Sequence, residues 1–425
     1  MIADLHIHSY LSRACSKQLH PEMLYRWCQL KGIDVLATGD WTHPKWIAEL
    51  QEKCEPAEPG FFQLKPEFAR VQDLEIYPSC KAPVRFVLGV EISSIYKKNG
   101  RVRKVHNLVF APSFEVALKI NATLDKIGNL KSDGRPILGL DSKRLLEILL
   151  DISDQAYLIP AHIWTPHFAV FGSESGFDSL EECFEDLTPH IFAVETGLSS
   201  DPLMNWRIAG LDQVTLISNS DAHSLEKLAR ESNWLDCDRS YNGLFNALKR
   251  KGKGRLVKTL EFFPEEGKYY MDGHRKCDVC YEPSETIQRK GICHACKKPV
   301  TVGVLHRIEK LASRAQDFRP KTAPDFEHLV PLKEIISQTL KVGTTSKKVD
   351  ALYHQLLAKF GNEFSILREL DLIRLETQGY PLLALALQRM RAGKAFLQPG
   401  YDGEYGVISF LQNSDFRSVR QLSML

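Results

Sequence analysis

The stretch "GIDVLATGD" (residues 32–40) shows the pattern that decides the fold, a short β-branched and apolar run that stops at polar residues. Such a run predicts a buried strand, with Asp40 at its carboxyl end. The same pattern recurs in "RFVLGVEIS" (85–93), "VHNLVFAP" (105–112), "QAYLIPAHIW" (155–164), "HIFAVETG" (190–197) and "VTLISNSDAH" (214–223). Residues 1–250 therefore contain a series of short strands, each followed at once by polar side chains.

Helical patterns lie between these strands, at residues 21–31, 44–53, 141–151, 178–187 and 224–231. Alternating strands and helices predict an α/β fold with a largely parallel sheet, either open or closed into a barrel. In both arrangements the loops at the carboxyl ends of the strands carry the chemistry. We therefore expect the functional residues among the polar side chains that end the strands.

Size and charge narrow the class of protein. The 425-residue chain is long enough for one large domain and one or two smaller ones. It has no apolar run of about 18 residues and no signal-peptide pattern, so we expect a cytoplasmic protein with no membrane partner. The net charge is only +2, but residues 249–321 carry 18 Lys and Arg against 9 Asp and Glu. That excess fits either a polyanion-binding surface or a solvated lysine-rich linker.

The pattern along the chain predicts three parts. Residues 1–250 form the α/β part, residues 251–302 a basic linker with a four-cysteine unit, and residues 303–425 a helical C-terminal region with a short tail. In the last part, "ALYHQLLAKF" (351–360) and "PLLALALQRM" (381–390) have the spacing of amphipathic helices. "LQPGYDGEYGVISF" (397–410) instead predicts a turn that leads into a short strand.

The candidate metal ligands begin with His6 and His8. They lie two residues apart in "ADLHIHS" (3–9), so a strand directs both imidazoles to one face. This pair alone is a weak signal that core packing also explains. More His, Asp and Glu side chains end the later strands, and polar groups that converge on one edge must be paired, solvated or bound to metal. Mixed nitrogen and oxygen ligands favour zinc, manganese or iron, and their number implies two or three metals. The additional residues are Asp40, Glu91, His106, His162, Glu195, Asp221 and His223.

Four of the ten cysteines form a second metal motif. Cys277 and Cys280, then Cys293 and Cys296, are two Cys-x2-Cys pairs, which predict one structural zinc held by four thiolates. Because four thiolates complete the shell, we expect the neighbouring His274 and His294 to be bystanders. The other six cysteines are expected to be free thiols.

These residues resemble a known superfamily. The HxH pair, the acidic residue after the second strand, the lone Glu, the two separate histidines and the terminal DxH are similar to the polymerase-and-histidinol-phosphatase (PHP) superfamily. Longer motifs resemble its endonuclease Q branch: "SRACSK" (12–17), "TGDWTHPKW" (38–46), "PAHIWTP" (160–166), "FGSESGFDSLEECF" (171–184), "ETGLSSDPLMNWR" (195–207), "SNSDAHS" (218–224) and "PGYDGEYG" (399–406). The resemblance implies a distorted (βα)7-like barrel with a multi-metal centre. It also implies cleavage of DNA on the 5′ side of uracil, hypoxanthine and abasic sites.

The resemblance also implies roles for individual residues. The barrel would hold two or three divalent metals, zinc or alternatively manganese or magnesium, and Ser12, Cys15 and Ser16 stand where many PHP proteins have a further histidine. His43 would be a ligand, a general acid or a phosphate contact. Glu195 would be a metal ligand, a group that orients a ligand, or a group that positions the substrate. Asp221 would be both a metal ligand and a catalytic residue. The implied ligands are His6, His8, Asp40, Glu91, His106, His162, Asp221 and His223.

The matching motifs also contain candidate DNA contacts. Arg13, Lys17 and Arg207 would clamp phosphate or form surface ion pairs. Lys347 and Lys348 lie at a helix start that would bind a phosphate or be an ordinary N-cap. An extruded base needs aromatic walls, which some of Trp41, Trp46, Trp164, Phe168 and Phe171 would supply if they are not core, with His167 as pocket lining.

The last five residues, Gln421–Leu425, resemble the short peptides with which bacterial repair proteins bind the sliding clamp, or else form a frayed or packed tail. Two other functions remain open for the whole chain. One is a PHP phosphoesterase acting on phosphate monoesters or DNA 3′ ends. The other is a non-enzymatic damage-binding module with a degraded metal site.

Overall fold

The computed structural model of the protein describes residues 1–422, with side chains to residue 417. Its strands are β1 (Ile2–Asp4), β2 (Val35–Ala37), β3 (Cys54–Pro56), β4 (Phe62–Leu64), β5 (Arg85–Lys98), β6 (Arg101–Ala111), β7 (Ile137–Leu138), β8 (Tyr157–Pro160), β9 (Ala193–Glu195), β10 (Thr215–Ile217), β11 (Ser232–Asp236), β12 (Arg255–Glu261), β13 (Asp272–His274), β14 (Val279–Tyr281), β15 (Asp325–His328), β16 (Phe396–Gln398) and β17 (Val407–Ser409).

Helices alternate with the first strands and dominate the C-terminal region. They are α1 (Pro21–Lys31), α2 (Pro44–Lys53), α3 (Pro66–Asp73), α4 (Phe114–Leu124), α5 (Ser142–Ile152), α6 (Leu180–Phe184), α7 (Pro202–Trp206), α8 (Tyr241–Leu248), α9 (Pro283–Gln288), α10 (Val304–Leu311), α11 (Leu332–Leu340), α12 (Lys347–Phe360), α13 (Leu372–Thr377), α14 (Pro381–Arg391) and α15 (Asn413–Leu422).

Local sequence explains how the elements begin and end. Proline occupies the first turn of α1 and α2, where its missing N–H costs nothing, and Gly32 ends α1 in the left-handed conformation with φ 88°. The helix predicted at 224–231 is instead a 3₁₀ turn over Leu225–Lys227. Ala229 there has φ 49°, which a helix does not allow, and β11 begins three residues later.

The prediction of a mixed α/β fold is confirmed. The main sheet runs β15-β12-β11-β1-β2-β5-β4-β3, and β6, β7 and β8 extend it from β5. The ladders β1–β2 and β2–β5 are parallel, as predicted. The ladders β5–β6 and β6–β8 are antiparallel, because β5 and β6 form a long hairpin turned by Asn99 and Gly100, both at positive φ.

A closed barrel is not confirmed. Within residues 1–422 no strand ladder joins β8 to β9 or β10 to β1, and β9 and β10 form a separate parallel pair. Single contacts cross these gaps: Ile163 N–H donates to Glu195 O at 3.1 Å, and an isolated bridge joins Ile7 to Ala222. Ile163, Ile7 and Ala222 lie in the loops that follow β8, β1 and β10, so loop residues make these contacts.

The sheet continues across the first predicted domain boundary. β12 pairs with β11, and β15 pairs with β12, so residues beyond 250 extend the sheet that begins at residue 2. The helical region also contacts the first part directly: Lys31 lies 3.1 Å from Glu363, and both side chains are buried. The division at residues 250 and 302 stays a prediction about the sequence, whereas the folded parts share one sheet.

The sequence predicts no membrane span. No helix within residues 1–422 has the length and apolar character needed to cross a membrane.

Candidate metal centre

Two groups of potential ligands share one carboxylate. His6, His8, Glu91 and Asp221 form the first group, and Glu91, His106 and His162 form the second. In each group one ligand atom per residue lies within 4.8 Å of the others. A carboxylate common to two ligand sets is the arrangement of a bridged metal pair, since its two oxygens face different sites.

The distances around Glu91 support this arrangement. Glu91 Oε1 lies 2.5 Å from His106 Nδ1 and 2.9 Å from His162 Nε2. Its other oxygen, Oε2, lies 3.3 Å from His8 Nε2 and 3.6 Å from His6 Nε2. Each oxygen of one buried carboxylate therefore faces a separate pair of imidazole nitrogens.

Strand ends place these side chains, and the backbone is strained there. His162 and Asp221 follow β8 and β10, and their φ angles are 27° and 47°. Asp40, which follows β2, has φ 45°. Non-glycine residues at positive φ are uncommon and cluster at functional sites, because the surrounding structure has to hold them there.

Glu195 orients the first histidine. Both of its oxygens lie 3.1 Å from His6 Nδ1, and they also accept from His162 N–H at 2.7 Å and Asn219 Nδ2 at 2.8 Å. A carboxylate only accepts, so His6 Nδ1 carries the proton and Nε2 keeps its lone pair. His6 Nε2 is buried and has no hydrogen-bond partner, which fits a nitrogen that binds a metal.

Asp40 has the same relation to His8. Its Oδ1 lies 3.2 Å from His8 Nδ1, while Oδ2 accepts from Ser9 Oγ at 2.6 Å and Ser12 Oγ at 2.9 Å. Asp40 therefore lies outside both ligand groups among residues 1–417 and contacts His8 directly, and its role as a metal ligand stays a prediction. Ser12, one of the residues in place of a further histidine, contributes to holding that carboxylate.

The electrostatics of the site favour a cation. Burial lowers the pKa of His6, but Glu195, Asp221 and Glu91 outweigh it and raise that pKa well above its usual value. Burial raises the pKa of Glu91, but His106 and His6 outweigh it and hold that pKa well below its usual range. Burial, only partly opposed by Glu91, lowers the pKa of His106 to about 4. Glu91 is thus ionised and His106 neutral near pH 7, the states that metal ligation needs, whereas His6 reaches its neutral, Nδ1-protonated form by releasing a proton when a metal binds.

Arg135 is a site residue that the sequence reasoning missed. Its Nη1 donates to Glu91 Oε2 at 3.0 Å from a loop that otherwise belongs to no motif. Gly134 allows this approach, because a Cβ there would lie 2.1 Å from Asp40 Oδ2. The only sequence signal is the turn "SDGRP" (132–136), which does not show that the loop crosses the site.

Two further predicted residues lie at the margin of the site. His223 is in neither ligand group within residues 1–417, and its ring centroid is 4.7 Å from that of His8. His43 is the N-cap of α2, where its Nδ1 accepts from Lys45 N–H at 3.2 Å. Burial lowers the pKa of His43, so its ring is neutral near pH 7.

The candidate phosphate contacts differ in whether their charged groups already have partners within the protein. Arg207 is buried, and its guanidinium makes two hydrogen bonds of 2.9 Å to Glu309, so it matches the ion-pair alternative. Lys17 Nζ donates to Tyr10 O at 3.2 Å, and Arg13 Nε lies 3.3 Å from Asp133. Lys347 and Lys348 are exposed at the start of α12, where Ser346 is the N-cap by accepting from Lys348 N–H at 3.2 Å.

The aromatic candidates are mostly core. Trp41, Trp46, Trp164 and Phe171 are fully buried, so they stabilise the fold and line no surface for a base. Phe168 is half-buried and packs 4.7 Å from the His106 ring.

A cavity of about 360 Å³ opens beside the site, and the exposed His167 lies in its wall. Thr165 and Arg230 connect its lining to the metal centre, since Thr165 Oγ1 lies 3.1 Å from His162 Nδ1 and Arg230 Nε donates to Ser220 O at 3.0 Å. The rest of the wall is mainly apolar and comes from residues 198–199, 262–270, 304 and 405.

The predicted zinc unit differs from its expected ligand set. The group consists of His274, Cys277, Cys293 and Cys296, with His274 Nδ1 3.7 Å from Cys296 Sγ, and Cys280 lies outside it. The physical reason is strand alternation, since β14 turns Val279 and Tyr281 into the small core and Cys280 to the surface. The structure therefore brings three of the four predicted thiolates together with His274, and the four-thiolate ligand set stays a prediction.

The expected clamp-binding peptide, Gln421–Leu425, lies outside the residues whose side chains the structure describes. Residues 423–425 are not described, and side chains are described only to residue 417. The backbone of Gln421 and Leu422 forms the end of α15.

Known proteins resemble this chain over part or all of its length. The family described as the MJ0043 C-terminal domain matches residues 331–394. Protein MJ0043 of Methanocaldococcus jannaschii is 32% identical over 253 residues, which is 58% of this chain and 31% of that protein. The matched region thus spans about a third of the length of that relative. Protein YqxK of Bacillus subtilis is 29% identical over 431 residues, covering 96% of this chain and 98% of YqxK.

Solved structures match almost the whole chain. The lesion-specific endonuclease PfuEndoQ from Pyrococcus furiosus has a TM-score of 0.84 at 28% identity, with 98% of each chain covered. Endonuclease Q in complex with a 27-mer duplex substrate, which has an abasic lesion at the active site, has a TM-score of 0.82 at 28% identity. That match covers 97% of this chain and 98% of the other. Over almost its whole length, this chain therefore has the architecture of the endonuclease Q structures.

Proposed function

We propose that this protein is a metal-dependent endodeoxyribonuclease of DNA repair that hydrolyses the phosphodiester bond on the 5′ side of uracil, hypoxanthine and abasic sites. The observation that carries the proposal is the pair of ligand groups that share Glu91. The match to a lesion-specific endonuclease over 98% of the chain supports the substrate class.

The donors present fit divalent metals. Imidazole nitrogens and carboxylate oxygens suit zinc, manganese or magnesium, and the orphaned His6 Nε2 is aimed at its group. When bound, two metals here lower the pKa of a water molecule and hold the phosphate oxygens. A third metal near Asp40 and His223 stays a prediction, since neither residue joins a group within residues 1–417. We propose that the cysteine unit holds one structural zinc.

The protein residues then position and protect the reacting groups. Glu195 and Asp40 each hold a proton at a histidine Nδ1 and so direct Nε2 toward the ligand group. Asp221 Oδ1 lies 3.1 Å from His8 Nε2 and completes the first group. Arg135 has a planar guanidinium that suits a phosphate as well as it suits Glu91. We propose His43, at the N-cap of α2, as a general acid.

The cavity beside the metal centre suits an extruded base. A base inside a duplex is out of reach until it is turned out of the stack into a pocket. The cavity of about 360 Å³ lies within the range of small-molecule sites, roughly 300–1,000 Å³. Phe262, Tyr269 and Tyr270 give it apolar walls, and Arg230 brings a charged group to it. A phosphatase for small monoesters would leave this cavity and the zinc unit without a role.

The proposal is tested with labelled duplexes that contain a single deoxyuridine, deoxyinosine or abasic site. We expect the metal-loaded protein to nick each duplex one bond 5′ to the lesion and to leave the undamaged duplex intact. A variant with Glu91→Gln provides the matched control for contaminating nuclease. Metal-loaded protein that leaves all three duplexes intact, or that cleaves only a generic phosphomonoester, would overturn the proposal.

A further inference from the structure

Tyr405 is an exposed aromatic residue at the rim of the cavity. It lies in the turn of residues 399–406, between β16 and β17, and 71% of its surface is exposed. It lines the same cavity as His167 and Arg230, which belong to the loops of the metal centre. Its position at the mouth of the cavity, and not its exposure alone, makes this aromatic side chain available to a molecule that enters there.

The turn that carries Tyr405 is held rigidly by backbone hydrogen bonds. Gly400 N–H donates to Glu265 O at 2.8 Å, Gly403 N–H to Lys268 O at 2.8 Å, and Gly406 N–H to Glu266 O at 3.0 Å. The approach is so close that a Cβ on Gly406 would lie 2.2 Å from Glu265 O. Only glycine allows this packing, so the turn is ordered before any partner binds.

Side chains fix the same turn to the zinc unit. Tyr401 Oη donates to Asp278 Oδ1 at 2.8 Å. Asp402 accepts from Thr301 Oγ1 at 2.5 Å and from Arg275 N–H at 2.7 Å. The rest of the turn is thus anchored on both sides, whereas Tyr405 itself points into solvent.

The surroundings of Tyr405 fit stacked bases next to phosphates. Lys268 Nζ lies 5.8 Å from the Tyr405 ring and 5.5 Å from the Tyr269 ring. An aromatic surface combined with a cation is typical of proteins that contact unstacked nucleic acid. When the damaged nucleotide occupies the cavity, the neighbouring base pairs of the duplex would lie at this rim.

We propose that Tyr405 enters the duplex and occupies the space vacated by the extruded nucleotide, stacking on the neighbouring base pair. The proposal rests on the proposed function, since it needs a lesion that leaves the helix. Inserted side chains are a known way to offset lost stacking. A side chain already held on an ordered turn loses little conformational freedom when it inserts. The competing arrangement, in which Tyr405 stacks on the extruded base itself, is an outcome of the test below.

The first experiment compares duplex and single-stranded DNA that carry the same deoxyuridine. Y405A is expected to lower kcat/KM at least tenfold on the duplex and less than twofold on the single strand, where no gap has to be filled. Y405F keeps the ring and should stay within twofold on both. L74A removes a remote exposed apolar side chain and serves as the control for general effects. Equal losses on both substrates would show stacking on the base, and unchanged cleavage by Y405A would overturn any role.

The second experiment follows the DNA directly. A 2-aminopurine next to the deoxyuridine reports unstacking during a single turnover on the duplex. We expect wild type and Y405F to show a fluorescence phase before cleavage that Y405A slows at least tenfold. An unaltered phase in Y405A would overturn the proposal even if the single strand is a poor substrate. If wild type cuts no lesion, the proposed function fails; if wild type cuts and Y405A matches it in both experiments, only this inference fails.

Discussion

The metal centre and the zinc unit both gather His, Cys, Asp or Glu ligands, but they depend on the rest of the chain in different ways. The metal centre collects ligands from His6 to Asp221, on strand ends of one large sheet, and its ligands are mostly buried. The zinc unit takes all its ligands from His274–Cys296. Its core is a cluster of Val279, Tyr281, Cys293 and Val300. The fold therefore holds the first site in place, whereas we expect the second to need a bound metal to stay folded.

The largest expected effect comes from removing the shared carboxylate. Glu91→Gln should lower nicking activity by about 1,000-fold or more, because both ligand groups lose the negatively charged carboxylate they share. The protein should stay folded by circular dichroism, since the sheet and not the metal forms the frame. Elemental analysis of the purified variant should show the loss of metal from the centre. Glu115→Gln, on the exposed face of α4, is the matched control. Full activity with two bound metals would contradict the shared-ligand arrangement.

The second prediction concerns the zinc unit and separates its two possible ligand sets. Cys277→Ser should release zinc, make residues 270–300 sensitive to protease and lower nicking about 100-fold, because a metal-dependent small unit unfolds without its metal. Cys280→Ser should keep zinc and stay protected, since that thiol is exposed and outside the group. Zinc content and limited proteolysis are the measurements. Loss of zinc in Cys280→Ser to the same extent would restore the four-thiolate set.

A third prediction tests whether Arg135 acts on substrate. Arg135→Gln should lower kcat/KM roughly 10–100-fold while metal content stays unchanged, because a charge-assisted contact to phosphate is lost. Arg135→Lys should recover only part of this, since a lysine cannot make the bidentate contact. Steady-state kinetics on the deoxyuridine duplex give the values, with the exposed Arg144→Gln as control. A variant that loses metal instead would show that Arg135 only supports Glu91.

The smallest expected effect concerns the stability of the sheet that carries the metal centre. Glu231 and Glu261 flank the paired ends of β11 and β12, both are buried, and burial raises the pKa of Glu261 to about 7. The folded protein then binds more protons than the unfolded chain between pH about 4.5 and 7. Through Glu261 alone, stability should therefore fall by about 3 kcal/mol as pH rises through this window.

Glu261→Gln should flatten this profile and raise the melting temperature at pH 8 by a few degrees. Burial and the negative charge of Glu261 both raise the pKa of Glu231, and the substitution removes that charge. Thermal unfolding at pH 5 and pH 8 measures both effects, and Glu115→Gln should leave the wild-type profile unchanged. A wild-type protein more stable at pH 8 than at pH 5, with Glu261→Gln showing the same slope, would contradict the assignment.

The mixed α/β class followed from local patterns, and so did the candidate ligands. Short apolar runs that end in polar residues predicted the strands near Asp40, Glu91 and His162, and the structure has strands at these places. The sequence predicts strands at 85–93 and 105–112 but not their antiparallel pairing, because the more polar residues 94–104 that complete the hairpin lack the apolar pattern of a buried strand. Closure of the sheet depends on how neighbouring loops meet, which local periodicity does not determine.

The sequence by itself determined which residue types stand at the strand ends, because the period of a strand is a local property. The tertiary structure alone decided how they divide: Glu91 is shared, Asp40 and Glu195 hold histidines in place, and Arg135 reaches in from a distant loop. It also placed His274 beside three of the cysteines, with Cys280 outside that group, and left Tyr405 in solvent. These outcomes depend on distances between residues far apart in the chain, and such distances exist only once the sheet has formed.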